Sequence, residues 1–244
     1  MSTYYYDLHV HSCLSPCGDN DNTPHNLAGM GFLAGLQLMA LTDHNTCRNC
    51  PAFFKAAEQH GIVPVAGMEL TTAEDIHMVC LFATLEEAMA FDAAVAGRRV
   101  RIKNRPDIFG EQLVMDENDR VIDTEPDLLS NATTLSIEEA VDLANAYGGI
   151  GYPAHIDREA NSMIAVLGGL PPEPRFTCVE LKDGGRREEL SRLYGLENTL
   201  ILVDSDAHFL WSIRDKEQYL ELDAPPEDPD GVRRCLIDRL RRGL

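Results

Sequence analysis

Six histidines in this chain fall at or just beside the ends of expected β-strands: His9, His11, His44, His77, His155 and His208. Imidazole nitrogens and carboxylates together suit Zn²⁺, Mn²⁺ or Fe²⁺ and do not decide between them. Asp7-Leu8-His9-Val10-His11 alternates along a strand, so Asp7, His9 and His11 point to one side. Two imidazoles two residues apart can then converge on one ion. Thr42-Asp43-His44 follows a second strand and Gly67-Met68-Glu69 a third. A carboxylate at Glu69 can bridge two cations, one on each oxygen. His77 lies early in the next strand, and His155 ends a later one in Tyr152-Pro153-Ala154-His155. Asp206 and His208 close the series in Asp204-Ser205-Asp206-Ala207-His208. Clustered ions would lower the pKa of a water, supply a hydroxide nucleophile and clamp phosphoryl oxygens.

The elements that must position these groups alternate between short apolar runs and helical patterns, which predicts βα units and a largely parallel sheet. Strands are expected at 4–10, 38–41, 62–66, 75–82, 149–152, 179–181, 200–204 and 218–222. Thr23-Pro24 reads as a helix cap followed by proline at the first helical position. Further helices are expected at 51–60, after Thr84, after Ser136 with Glu139 in a capping box, and at 229–242. Residues 97–134 are polar and interrupted by Pro106, Gly110 and Pro126. They read as an excursion containing a hairpin, within a single domain over 1–244. In parallel α/β folds the functional face lies at the carboxyl ends of the strands, where the histidines cluster.

Composition narrows the partners. The formal net charge is -19, which argues against stable binding to nucleic acid or to anionic membranes. No apolar run approaches the roughly 18 residues of a membrane span. The first residues lack the pattern of a secretory signal, and seven cysteines are an odd number for a disulfide framework. A cytoplasmic protein with reduced thiols is expected; the oligomeric state is open.

Asp7-Leu8-His9-Val10-His11-Ser12, Leu41-Thr42-Asp43-His44-Asn45-Thr46, Gly67-Met68-Glu69 and Ser205-Asp206-Ala207-His208 resemble, in order and spacing, the motifs of the PHP (polymerase and histidinol phosphatase) superfamily. The resemblance implies a distorted seven-stranded, TIM-like (β/α) barrel with two or three divalent ions at its mouth. It implies that His9, His11, Glu69 and Asp206 hold one ion, and that Glu69, His77 and His155 hold a second. His44, His208 and a residue of the first loop would hold a third. Relatives commonly carry Ser-Asp-Gly in that loop, whereas this chain has the longer Ser15-Pro16-Cys17-Gly18-Asp19-Asn20-Asp21. Counting back from Thr23-Pro24 puts Asp19 at the ligand position, with Asp21 as its rival.

Asp43 reads as a carboxylate that orients a ligand imidazole, or as a proton shuttle. Arg158, just after His155, is placed either to meet a substrate phosphate or to form a surface ion pair; Lys182 is a weaker candidate. Cys13, Cys17, Cys47 and Cys50 offer a structural zinc or iron–sulfur site, or four reduced loop thiols. His25 and His60 fall on expected helices, away from the site. The expected activity is hydrolysis of a small phosphorylated metabolite or nucleotide through a metal-bound hydroxide. The alternatives are a metal-binding regulatory domain without catalysis and an amidohydrolase-type C–N hydrolase.

Overall fold

The structure, a computed structural model, describes residues 1–244. The chain opens with β1 (Ser2–Val10), α1 (Pro24–Leu33), β2 (Leu38–Leu41), α2 (Cys50–Gln59), β3 (Val63–Thr71), β4 (His77–Phe82) and α3 (Leu85–Ala96). The excursion follows, with the short α4 (Pro106–Phe109) and the strands β5 (Leu113–Met115) and β6 (Val121–Thr124). Next come α5 (Ile137–Ala146), β7 (Ile150–Pro153), α6 (Met163–Leu167), β8 (Cys178–Leu181) and α7 (Arg187–Tyr194). The chain ends with β9 (Leu200–Val203), β10 (Tyr219–Leu222) and α8 (Pro229–Arg242).

Local signals set the helix starts. The Thr23 side chain accepts from the Asn26 N–H, with Pro24 in the first turn. Thr84 with Glu87, and Ser136 with Glu139, form complete capping boxes. β5 and β6 pair as the expected hairpin.

The expectation of a largely parallel sheet needs correction in its strand directions. The main sheet has six strands in the order β10-β1-β2-β3-β4-β7, and β8-β9 form a separate parallel pair. β1, β2 and β3 run parallel, but β4 is antiparallel to both β3 and β7, and β10 is antiparallel to β1. The reason lies between β3 and β4. Residues 72–76 make a tight turn, in which Thr72 N–H donates to the Ile76 carbonyl at 2.9 Å. A parallel return needs a crossover of about a dozen residues or more. β3 also runs beyond its expected end, because Ala66 to Thr71 pair with Phe82 to His77. Glu69 therefore lies within a strand, and His77 begins the next one.

The main sheet curls toward the β8-β9 pair on both sides. Ile156 N–H donates to the Glu180 carbonyl at 2.9 Å, and His11 N–H donates to the Ala207 carbonyl at 2.9 Å. Leu8, Ala40, Val65, Val79, Tyr152 and Leu202 share one apolar cluster, although they come from both sheets. Leu236 and Leu240 of α8 join it. The opposite face, with Met39, Leu41, Met68 and Phe82, packs against α1, α2 and α3.

Gly67 of β3 is closely packed between β4 and Thr42, the residue after β2. A Cβ there would stand 2.6 Å from Leu81 Cδ2, 2.8 Å from the Cys80 carbonyl oxygen and 2.9 Å from Thr42 Cγ2. The backbone oxygen cannot swing aside as a side chain can. Gly67→Ala is expected to lower unfolding stability by about 1–3 kcal/mol, the usual cost of overpacking. Denaturant titration of the metal-stripped protein measures this, and an unchanged midpoint would show that the strands separate freely.

Candidate metal centre

Strand alternation delivers the first pair. Leu8 and Val10 enter the apolar clusters, while His9 and His11 point together, their Nε2 atoms 3.1 Å apart. An edge of a zinc-type coordination tetrahedron, with bonds of about 2.0–2.1 Å, is about 3.3 Å. Each ring is held from behind. His9 Nδ1 lies 3.0 and 2.9 Å from the two carboxylate oxygens of Glu180. His11 Nδ1 lies 2.9 Å from Ser15 Oγ, whose hydroxyl donates to Asp43 Oδ1 at 2.7 Å. An acceptor behind each Nδ1 keeps the proton there and turns the Nε2 lone pair inward.

The other donors arrive from neighbouring strand ends. Because β4 runs antiparallel, its first residue, His77, stands at the same mouth as His44 after β2 and His155 after β7. His155 and Asp206 have φ of 25° and 47°, and Asn45 beside His44 has 52°. These left-handed conformations turn the chain sharply where each strand stops.

All of these groups face Glu69. Its Oε1 lies 2.8 Å from His77 Nδ1, 2.9 Å from His155 Nε2 and 3.3 Å from His9 Nε2. Its Oε2 lies 3.0 Å from His44 Nδ1 and 3.2 Å from His11 Nε2. Asp206 Oδ1 stands 3.3 Å from His11 Nε2, 3.5 Å from His208 Nδ1 and 3.7 Å from His9 Nε2. Three donor groups result: His9 with His11, Glu69 and Asp206; His44 with Glu69 and His77; His11 with His44 and His208.

These donor sets fit divalent cations. His44 Nδ1, His77 Nδ1 and Asp206 Oδ1 are buried and make no aligned hydrogen bond, despite their short separations. Unmatched buried polar atoms are costly, and convergence on a shared cation removes the mismatch. Electrostatics points the same way. Burial opposes the charge on Glu69, yet the rings of His77, His9 and His44 hold its carboxyl well below the usual range. Burial also opposes charge on His11, but Asp206 and Glu69 push its pKa up to about 9. Burial and the neighbouring His11 lower His208 to about 4. Ligand imidazoles must be neutral, so a divalent cation binding here would replace protons.

The PHP domain family matches residues 7–161. This chain belongs to that family. An error-prone DNA polymerase of Symbiobacterium thermophilum is 35% identical over 77 residues, which are 32% of this chain and 7% of the polymerase. The chain spans less than half the length of the curated relatives it matches. Its fold resembles the lesion-specific endonuclease EndoQ of Pyrococcus furiosus, with a TM-score of 0.60 and 17% identity over 95% of this chain and 56% of the endonuclease. It also resembles a protein of Bifidobacterium adolescentis to which a metal-dependent phosphoesterase activity is ascribed. That TM-score is 0.59, at 18% identity over 98% of this chain and 96% of the other. The expected exclusion of nucleic acid, drawn from net charge, finds no support in these comparisons.

In this PHP domain the structure brings His9, His11, His44, Glu69, His77, His155, Asp206 and His208 together. Asp19 stands at the rim, outside the three donor groups. Its N–H donates to the His208 carbonyl at 3.0 Å, and its Oδ1 accepts from the Asp21 N–H at 2.8 Å. Asp43 is enclosed by Ser12 and Ser15, accepting from both hydroxyls. Arg158 Nη1 donates to Asp206 Oδ2 at 2.7 Å, and Lys182 Nζ lies 3.3 Å from the same oxygen. Both cations line a cleft of about 890 Å³ over the donors.

The four loop cysteines do not gather. Cys13 faces the Leu113 carbonyl under the hairpin, Cys47 and Cys50 face the Gly67 carbonyl, and Cys17 lines the cleft. No donor group contains a thiol. His25 and His60 lie beside each other, with ring centroids 5.4 Å apart, on α1 and at the end of α2. Sequence reasoning missed Glu180, Ser15 and Arg214. Glu180 carried a usable signal, since it is an acid in an otherwise apolar strand, two residues before Lys182.

Glu69→Gln is expected to lose at least one divalent ion per chain, because an amide offers one neutral oxygen where the carboxylate offers two charged ones. Elemental analysis after reconstitution with Mn²⁺ or Zn²⁺ measures this. Full metal content in the variant would show that Glu69 does not join two sites.

Proposed function

We propose that this chain is a metal-dependent phosphoesterase acting on a small phosphorylated metabolite or nucleotide. The carrying observation is the division of five imidazoles between the two oxygens of Glu69, beneath a cleft that also presents cationic side chains. Bound among these donors, Zn²⁺, Mn²⁺ or Fe²⁺ would supply Lewis acidity toward phosphoryl oxygens and lower the pKa of a water.

The chain's own groups divide the remaining work. Glu180 and Ser15 fix which nitrogen of His9 and His11 carries the proton. Asp43 acts through Ser15 as a positioning residue, since it is buried and has no face on the cleft. Arg158, whose side chain is 43% exposed, and Lys182 are anchored on Asp206 Oδ2 and offer their free N–H groups to a substrate anion. Arg214 lines the same cleft and donates to the Lys182 carbonyl, which steadies that wall. We assign Asp19 as the first-loop ligand completing the group of His44 and His208, a reading supported by its backbone bond to His208. The same reading takes β1–β4 and β7–β9 as the staves of a distorted seven-stranded barrel. The seven free cysteines support a cytoplasmic setting. No helix is long and apolar enough to cross a membrane.

Phosphate release from nucleotides and sugar phosphates should require divalent metal and disappear with chelator, while N-acyl substrates release little amine. A dominant amidase activity would reject the phosphoesterase reading and leave the metal centre standing. Inactivity on both panels with ions bound would favour a regulatory domain. Arg158→Ala should raise KM about tenfold, the scale of one hydrogen bond between charged groups, and change kcat less. A fall in kcat alone would place Arg158 in the transition state instead.

Asp19→Asn should weaken one metal site more than Asp21→Asn does. Metal titrations of the two variants compare them, and an equal or larger loss for Asp21→Asn would transfer the assignment to Asp21.

A further inference from the structure

The segment after His208 departs from the rest of the mouth. Leu210 packs on the apolar core and Ile213 is buried, so the short turn at Leu210–Ser212 is anchored from within. Phe209 and Trp211 point the other way, 39% and 74% exposed. Their rings stack, with centroids 4.7 Å apart and planes 18° from parallel. Two large aromatic rings are thus left partly in water beside a site built of charges. Phe209 also forms part of the cleft wall, together with Arg158, Lys182 and Arg214. Only Cys17 and Phe209 of the residues lining that cleft are apolar, and Phe209 supplies its one phenyl ring. A phosphate group alone would have no use for such a plate, and a flat base covers a phenyl face more fully than a sugar ring does. The cleft volume of about 890 Å³ leaves room for more than a phosphoryl group.

We propose that Phe209, backed by Trp211, is a stacking platform for a nucleobase, so that the substrate is a phosphorylated nucleoside, either free or at the end of a strand. The proposal rests on the phosphoesterase reading and names its substrate class. The phosphate would sit over the Glu69 donors, with Arg158, Lys182 and Arg214 facing its anionic oxygens. The base would lie on the phenyl face that borders the cleft. Stacking on an aromatic side chain tolerates any base, because every base has a π-face.

Trp211 is the only tryptophan in the chain, which makes its fluorescence a direct reporter. In the metal-reconstituted protein, adenosine 5′-monophosphate should change that fluorescence and ribose 5-phosphate should not. The kcat/KM preference for the nucleotide over ribose 5-phosphate should fall about tenfold in Phe209→Ala, the scale of one stacked base. Phe209→Tyr should retain most of the preference. Equal fluorescence responses to the two ligands, or the same preference in Phe209→Ala as in the parent, would overturn the proposal. If neither compound releases phosphate, the phosphoesterase reading is judged on the wider substrate panel, and the fluorescence comparison still decides the platform. A 5′-phosphorylated tetranucleotide separates the two sources. Matching response and turnover point to a strand end, whereas response to the mononucleotide alone points to a free nucleotide.

Discussion

The buried Glu69 carboxylate is the constraint around which the rest of the molecule is arranged. An isolated charge in such a place would be neutralised or expelled. Here five imidazole nitrogens stand within 3.3 Å of its two oxygens. They come from β1, from the ends of β2 and β7, and from the start of β4. Each strand must therefore stop, turn or begin at one level. The left-handed φ values of His155 and Asp206 are a cost of that requirement, offset by the interactions that those side chains then make.

A further layer of acids lies behind the donors. Asp204 Oδ1 accepts from the Leu8 N–H at 2.5 Å, Asp7 Oδ1 accepts from the Ser205 N–H at 3.1 Å, and Glu180 holds His9. Burial, with Glu180 and Asp7 close by, pushes the Asp204 carboxyl well above the usual range. A neutral carboxyl at that position would limit the repulsion among three buried acids. The same bonds tie the β8-β9 pair to β1 across the gap between the two sheets. Ion-binding geometry and fold closure thus share residues, so a change in this layer acts on both.

The donors were legible in the sequence because each is a local event, a histidine or carboxylate at the end of an apolar run. His9 and His11 needed only strand alternation. The strand directions were less legible, although residues 72–76 are too few for a crossover, and that alone requires β4 to turn back. The orienting groups depend on tertiary proximity: His9 and Glu180 are 171 positions apart, and Arg158 and Asp206 are 48 apart. The cysteine pairs show the converse. Their spacing suits a metal, but Cys47 and Cys50 point down toward Gly67 and the core while Cys17 points to the cleft. Spacing along the chain does not report which side of a loop each thiol occupies.

The net charge of -19 bears on what can reach this mouth. A dissolved anion feels the surface over a Debye length of about 8 Å at physiological salt, so distant carboxylates matter little once it is near the cleft. There Arg158, Lys182 and Arg214 dominate, and Arg158 and Lys182 are fixed by Asp206, which also faces His9 and His11. A small anion meets mainly that local field. A long polyanion lying across the surface would meet the acidic surround as well, and would lose affinity with each phosphate laid beside it. On the proposed phosphoesterase reading, that distribution suits a substrate that brings one or two phosphates to the cleft, whether free or projecting from a chain end.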